Sequence, residues 1–121
     1  MSRLSRKITE AVNAASGPGS IEVVDGPDRG LEIDLPPIGV VIGTERSCDV
    51  VLTDSFISRR HCSIAPSAGG FAITDLGSKN GTRVDGVAVP TDGAALAIGG
   101  TIELGATTLR RLDPDVPPIA S

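Results

Sequence analysis

Three short polar stretches hold the residues whose chemistry could be put to work. They are Gly43-Thr44-Glu45-Arg46-Ser47, Ser55-Phe56-Ile57-Ser58-Arg59-Arg60 and Leu76-Gly77-Ser78-Lys79-Asn80-Gly81-Thr82. Between them they carry Arg46, Arg59, Arg60 and Lys79 against a single acid, Glu45, on a chain whose formal charge is -4. Hydroxyls, a carboxamide and cations, with glycines that let backbone N–H groups approach, suit a phosphate ester. Its oxygens accept hydrogen bonds and are stabilised by opposite charge.

Competing chemistries find less support. His61 is the only histidine; a hydrolase would ask it to serve Ser58 or Ser63, with Asp54 or Asp75 as orienter. No second feature supports that constellation, and Gly99-Gly100 does not belong to a nucleotide-binding loop, so no enzyme activity is expected. One His and two Cys without ligand spacing make a metal site unexpected, and no cofactor is implied. Cys48 and Cys62 read as reduced, buried apolar side chains. Plainer roles stand beside the sharper ones. The Ser58 hydroxyl could satisfy a neighbouring backbone N–H, and Asn80-Gly81 is a strong short-hairpin signal. Arg60 and Arg83 read as surface residues, and Gly43 and Gly77 as backbone requirements of their turns.

The elements that must position these loops follow from hydrophobic periodicity. Ile21 and Val23 flank Glu22, and Leu31, Ile33 and Leu35 alternate with Glu32 and Asp34, the period of half-buried strands. Asp25-Gly26-Pro27-Asp28-Arg29-Gly30 between them reads as a hairpin turn. Further strands are predicted at 40–43, 49–52, 61–65, 71–75, 82–85, 87–89, 94–98, 101–104 and 107–112. With 15 Gly, 9 Pro and only Phe56 and Phe71 as aromatics among 121 residues, the pattern predicts an all-β sandwich with an aliphatic core.

Before the strands, Leu4, Ile8, Ala11, Val12 and Ala15 share one helical face, and Ser16-Gly17-Pro18-Gly19 ends it. The expected organisation is an amphipathic helix and Gly/Pro linker over 1–19, one domain over 20–112 and a Pro-rich tail or linker over 113–121. No run of about 18 apolar residues occurs, and Arg3, Arg6 and Lys7 lead into Ile8-Thr9-Glu10 rather than an apolar signal region. A cytoplasmic chain without membrane contact is expected. The acidic balance, without a basic face interleaved with aromatics, argues against direct nucleic-acid binding.

Four blocks occur in an order and spacing that resemble the forkhead-associated (FHA) domain family. They are Ile42-Gly43, Cys48-Asp49-Val50-Val51-Leu52, Ser58-Arg59-Arg60-His61-Cys62 and Asp75-Leu76-Gly77-Ser78-Lys79-Asn80-Gly81-Thr82, within a resemblance running from Ser20 to Leu112. The resemblance implies an eleven-stranded β-sandwich of two twisted, mostly antiparallel sheets whose end loops bind phosphothreonine in a partner peptide. It assigns Ser58 and Arg59 to the phosphate, Asn80 to the peptide main chain and Lys79 to the position before it. His61 is then a structural residue bracing the loops, together with Gly43 and Gly81.

The pattern departs from the family at Thr44, where an arginine typically grips the phosphate; Arg46 and Lys79 are the cations left to compensate. The implied function is a phosphothreonine-reading signalling module downstream of a Ser/Thr kinase. The alternative is a phosphate-independent protein–protein assembly domain. The Gly43-Thr44 block and the Gly-Ser-Lys-Asn-Gly-Thr loop also resemble FHA domains at the N-termini of bacterial sigma-54-dependent transcription activators.

Overall fold

Alternation of apolar and polar residues governs the backbone throughout the part of the chain that a computed structural model describes, residues 19–67 and 70–112. Eleven strands follow one another: β1 (Gly19–Asp25), β2 (Glu32–Leu35), β3 (Val40–Gly43), β4 (Val50–Val51), β5 (Cys62–Ser67), β6 (Gly70–Asp75), β7 (Thr82–Val84), β8 (Val87–Ala88), β9 (Ala94–Leu96), β10 (Thr101–Leu104) and β11 (Thr107–Arg111). They form a six-stranded sheet, β2-β1-β11-β10-β7-β8, and a five-stranded sheet, β4-β3-β5-β6-β9. All pairings are antiparallel except β3 with β4. The expected sandwich is therefore the fold. The expected N-terminal helix and Pro-rich tail lie outside the described residues.

Inward positions from both sheets make one aliphatic core. Ile21, Ile42, Ile64, Ile73, Ile102 and Leu109 are fully buried, each contributing about 1.5–3 kcal/mol relative to exposure. Cys48 and Cys62 are both buried and free. Burial above all, with the negative charge of Asp75 nearby, pushes the Cys62 thiol up to about 12, so it behaves as a small apolar side chain.

Two turns depart from the sequence-based expectation. Asn80-Gly81 does not close a hairpin: β6 and β7, on either side, belong to different sheets. Gly81 has φ +82° but Asn80 does not have positive φ, so the two-residue turn that the dipeptide suggests is not formed. The tight hairpin lies instead at Asp85-Gly86, between β7 and β8, with φ of 52° and 81°. Asp85 belongs to this turn rather than to the end of the preceding strand.

The sandwich has two unlike ends. The connections β3–β4, β4–β5, β6–β7 and β10–β11 meet at one of them. At the other, β1 begins and β11 finishes. There Arg111 stacks over the Phe71 ring at 4.9 Å and donates through Nη1 to the Leu96 carbonyl at 2.7 Å.

Candidate functional site

Backbone and side-chain hydrogen bonds lace the three polar loops together, and Ser58 is where they meet. Its N–H donates to His61 Nδ1 at 3.0 Å, its carbonyl accepts from Thr44 N at 3.2 Å, and its Oγ accepts from Lys79 N at 3.0 Å. The Ser58 hydroxyl thus does satisfy a backbone N–H, in a loop distant in sequence, and it keeps its own hydrogen to donate elsewhere.

His61 is fully buried. Its Nδ1 accepts from Ser58, so Nε2 carries the proton and donates to the Gly81 carbonyl at 2.8 Å. Both ring nitrogens are committed to backbone groups of two different loops. The imidazole therefore has no nitrogen left to take a proton from Ser58 or Ser63, and the triad arrangement is not built.

Gly43 is required for a reason other than turn geometry. A Cβ there would lie 1.9 Å from the Arg59 carbonyl oxygen, so only glycine lets the β4–β5 loop cross β3 so closely. That approach brings Glu45 N to the Arg59 carbonyl at 3.1 Å and the Cys48 thiol to the same oxygen at 3.1 Å. Gly77 does occupy a positive-φ turn, at +82°.

Two carboxylates frame the site from behind. Asp54, 3% exposed, accepts from Phe56 N at 2.8 Å, Ala106 N at 2.7 Å and Thr107 Oγ1 at 2.8 Å. Asp75 accepts from Gly77 N and Ser78 N, each at 3.0 Å, from Ser78 Oγ at 2.5 Å and from Thr82 Oγ1 at 2.6 Å. Burial raises both carboxyl pKa values, but these hydrogen bonds to the charged form outweigh it and leave both below the ordinary 3.8. Neither carboxylate orients a histidine.

The remaining candidates stand on the surface of this frame. Asn80 donates through Nδ2 to the Phe56 carbonyl at 2.8 Å, tying the β6–β7 loop to the β4–β5 loop. Arg46, Arg59, Arg60 and Lys79 are exposed, and Thr44 is half-buried. Among the described residues no carboxylate pairs with those four cations. Phe56, 62% exposed, stands among them as an apolar surface that polar-loop reasoning overlooked. Beside Asn80 opens a cavity of about 350 Å³ lined by Gly81, Arg83, Glu103, Gly105, Ala106 and Thr108 among others. Its far wall comes from the β10–β11 hairpin, whose adjacency to Asn80 no local motif announces.

The arrangement can hold an anion: a hydroxyl with a free hydrogen, uncommitted cations and a rigid backbone, with room alongside for a chain. Among the described residues, no group of three or more His, Cys, Asp or Glu side chains could hold a metal ion. No helix among them is long and apolar enough to cross a membrane.

Known proteins share this arrangement of elements. Residues 22–115 match the family model described as inner membrane component of T3SS, cytoplasmic domain. FHA domain-containing protein FhaB of Mycolicibacterium smegmatis is 34% identical over 87 residues, 72% of this chain and 56% of FhaB. The glycogen accumulation regulator GarA of the same organism is 34% identical over 90 residues, 74% of this chain and 56% of GarA. The chain thus spans a little over half the length of these relatives. An FHA domain solved in a structural and functional analysis of phosphothreonine-dependent interactions superposes with a TM-score of 0.70 at 28% identity, covering 79% of this chain and 96% of that one. The chain belongs to the forkhead-associated domain family, whose members are non-enzymatic interaction modules; the matching cytoplasmic-domain model is FHA-like.

Proposed function

We propose that this domain reads phosphothreonine on a partner protein and so couples a Ser/Thr kinase to that partner. The observation that carries the reading is Ser58, held by all three loops while its hydroxyl hydrogen remains available. In this reading Ser58 Oγ and the Arg59 guanidinium bind phosphate oxygens, with Arg46 and Lys79 supplying further positive charge. The Asn80 carboxamide, fixed by its bond to Phe56, contacts the peptide main chain. A phosphate brings about -1.5 to -2 charge and three strong acceptors, which separates a modified from an unmodified threonine. The superposition on an FHA domain with phosphothreonine-dependent interactions supports the assignment. A role as the sensory domain of a transcription regulator rests on the sequence resemblance alone.

Thr44 favours a second reading. Where the family pattern has arginine, this chain offers a hydroxyl, and a lost charge-assisted bond costs about 1.5–3 kcal/mol, roughly ten- to a hundredfold in affinity. The domain would then serve assembly without phosphate, a role in keeping with the family model of a secretion-system component. Titrating the chain into a degenerate phosphothreonine peptide library, with matched unphosphorylated and phosphoserine libraries, separates the two. Selective micromolar binding of phosphothreonine supports the first reading; binding indifferent to phosphate supports the second.

A further inference from the structure

Its place between β1 and β2 makes Asp28 a turn former in sequence terms, yet its carboxylate does not serve its own turn. Oδ2 accepts the Thr53 N–H at 2.8 Å and Oδ1 accepts the Thr53 hydroxyl at 3.0 Å, across 25 residues of sequence. The contact passes from the six-stranded sheet to the loop that follows β4 of the five-stranded one. The turn that presents the carboxylate is itself tied down. Its Asp28 carbonyl accepts from Leu31 N at 3.1 Å and the Val23 carbonyl accepts from Gly30 N at 2.9 Å. Gly26 seats it against the β10–β11 connection, where a Cβ would lie 2.7 Å from Thr107 Oγ1.

Thr53 is where such support counts. Leu52 N donates to the Gly43 carbonyl at 2.9 Å as the chain leaves β3. From Thr53 to Ile57 the β4–β5 loop belongs to no strand and is held by side chains and one turn of its own, Ile57 N to the Asp54 carbonyl at 3.1 Å. Asp54 anchors it to the β10–β11 connection and Asn80 anchors it to the β6–β7 loop. Asp28 supplies a third anchor, at the loop's origin. We infer that Asp28 is a positioning residue for phosphopeptide binding, acting through Thr53 on the loop that carries Ser58 and Arg59. The inference rests on the phosphothreonine reading of that site. It has a signature because bond and charge act in opposite directions. A carboxylate at this end of the sandwich repels a phosphate, so removing its charge alone favours binding, whereas removing its bonds frees the loop and weakens binding. Asparagine separates the two: its Oδ1 accepts from Thr53 N and its Nδ2 donates to Thr53 Oγ1, which keeps both contacts without the charge.

Asp28→Ala, Asp28→Asn and Thr53→Val in the full chain test the assignment. Each is followed by amide hydrogen exchange, and by fluorescence anisotropy with a labelled phosphothreonine peptide pool, degenerate at the flanking positions, and its unphosphorylated twin. In Asp28→Ala the amides of Phe56 and Ser58 are expected to exchange at least about tenfold faster while those of Ile64 and Ile73 keep the parent rate. Affinity for the phosphorylated pool is expected to fall about tenfold in the same variant. Asp28→Asn should match the parent in exchange and bind at least as tightly. Thr53→Val, which loses the hydroxyl bond alone, should give an intermediate loss, and it reports even if Asp28→Ala fails to fold. Unchanged or tighter binding by Asp28→Ala would overturn the proposal, as would an Asp28→Asn variant as weak as Asp28→Ala, or exchange that quickens equally at Ile64 and Ile73. A parent chain without preference for the phosphorylated pool would overturn the phosphothreonine reading and the binding role with it; unchanged loop exchange in Asp28→Ala would overturn the anchor alone.

Discussion

Ser58 Oγ accepts the backbone hydrogen of Lys79 at 3.0 Å, across 21 residues of sequence. The bond fixes the serine rotamer and the path of the β6–β7 loop together, so the hydroxyl proposed to donate to the phosphate and the cation beside it are set by one contact. Ser58→Ala is expected to lower phosphopeptide affinity about tenfold or more, while costing about 1 kcal/mol of stability. Isothermal titration and thermal unfolding of the same variant separate the two effects. A large fall in melting temperature with unchanged affinity would assign Ser58 to the frame alone.

Restoring the guanidinium that the family pattern carries should strengthen the site. Thr44 is half-buried at the loop edge and already bonded through its N–H to Ser58, so a longer side chain can extend outward without disturbing that bond. Thr44→Arg is expected to raise affinity for a phosphothreonine peptide by about ten- to a hundredfold. Fluorescence anisotropy at two salt concentrations checks it, since an added cation steepens the salt dependence. No gain would place the phosphate away from Thr44.

The close crossing at Gly43 predicts an all-or-none effect. Gly43→Ala puts a methyl group into the backbone of Arg59, and overpacking of this kind costs about 1–3 kcal/mol or more. Loss of peptide binding should accompany it, because the displaced segment carries both Ser58 and Arg59. Gly77→Ala meets no atom within 4 Å and strains only its own backbone, at φ +82°, so it should leave binding largely intact. Equal losses in the two variants would contradict this difference.

Acid should loosen the site through Asp54 and Asp75. Both carboxyls lie below their ordinary value when folded. Their stabilisation is complete above the unfolded value near 3.8 and is lost as pH falls through the lower folded values. Stability should therefore drop below about pH 4. Asp54→Asn and Asp75→Asn should each lower stability at neutral pH and flatten that drop, as read by denaturant unfolding from pH 2 to 7. A pH dependence as steep in both variants as in the parent chain would exclude these residues as its source.

How much of this was legible in the sequence follows from the range of the contacts. Strands such as β3 and β10 were readable at their observed limits because alternation and flanking turn residues are local signals. The Asn80-Gly81 turn was misread for the same reason: a dipeptide encodes a local bend, whereas the sheet that receives β7 is decided by core packing. Asp85-Gly86 carries the same kind of signal, but the strand pattern over 82–85 takes in Asp85 and leaves only Gly86 for the turn. The roles of Asp54 and Asp75 were hidden differently. Asp54 meets Ala106 across 52 residues, a distance over which no spacing rule operates. The order of four blocks brings Ser58, His61, Lys79 and Asn80 forward as candidates, but the bonds that join their loops, such as Lys79 N–H to Ser58 Oγ, are not visible in it.

The most direct test of the phosphothreonine-reading account is an amide chemical-shift titration of the isotopically labelled chain with a phosphothreonine peptide and its unphosphorylated twin. The phosphorylated peptide alone is predicted to shift the amides of Thr44, Ser58, Arg59, Lys79 and Gly81, with those of Ala65, Ala72 and Ala95, paired across β5, β6 and β9, unmoved. Shifts of the same size from both peptides, or shifts confined to a surface away from Ser58, would contradict it.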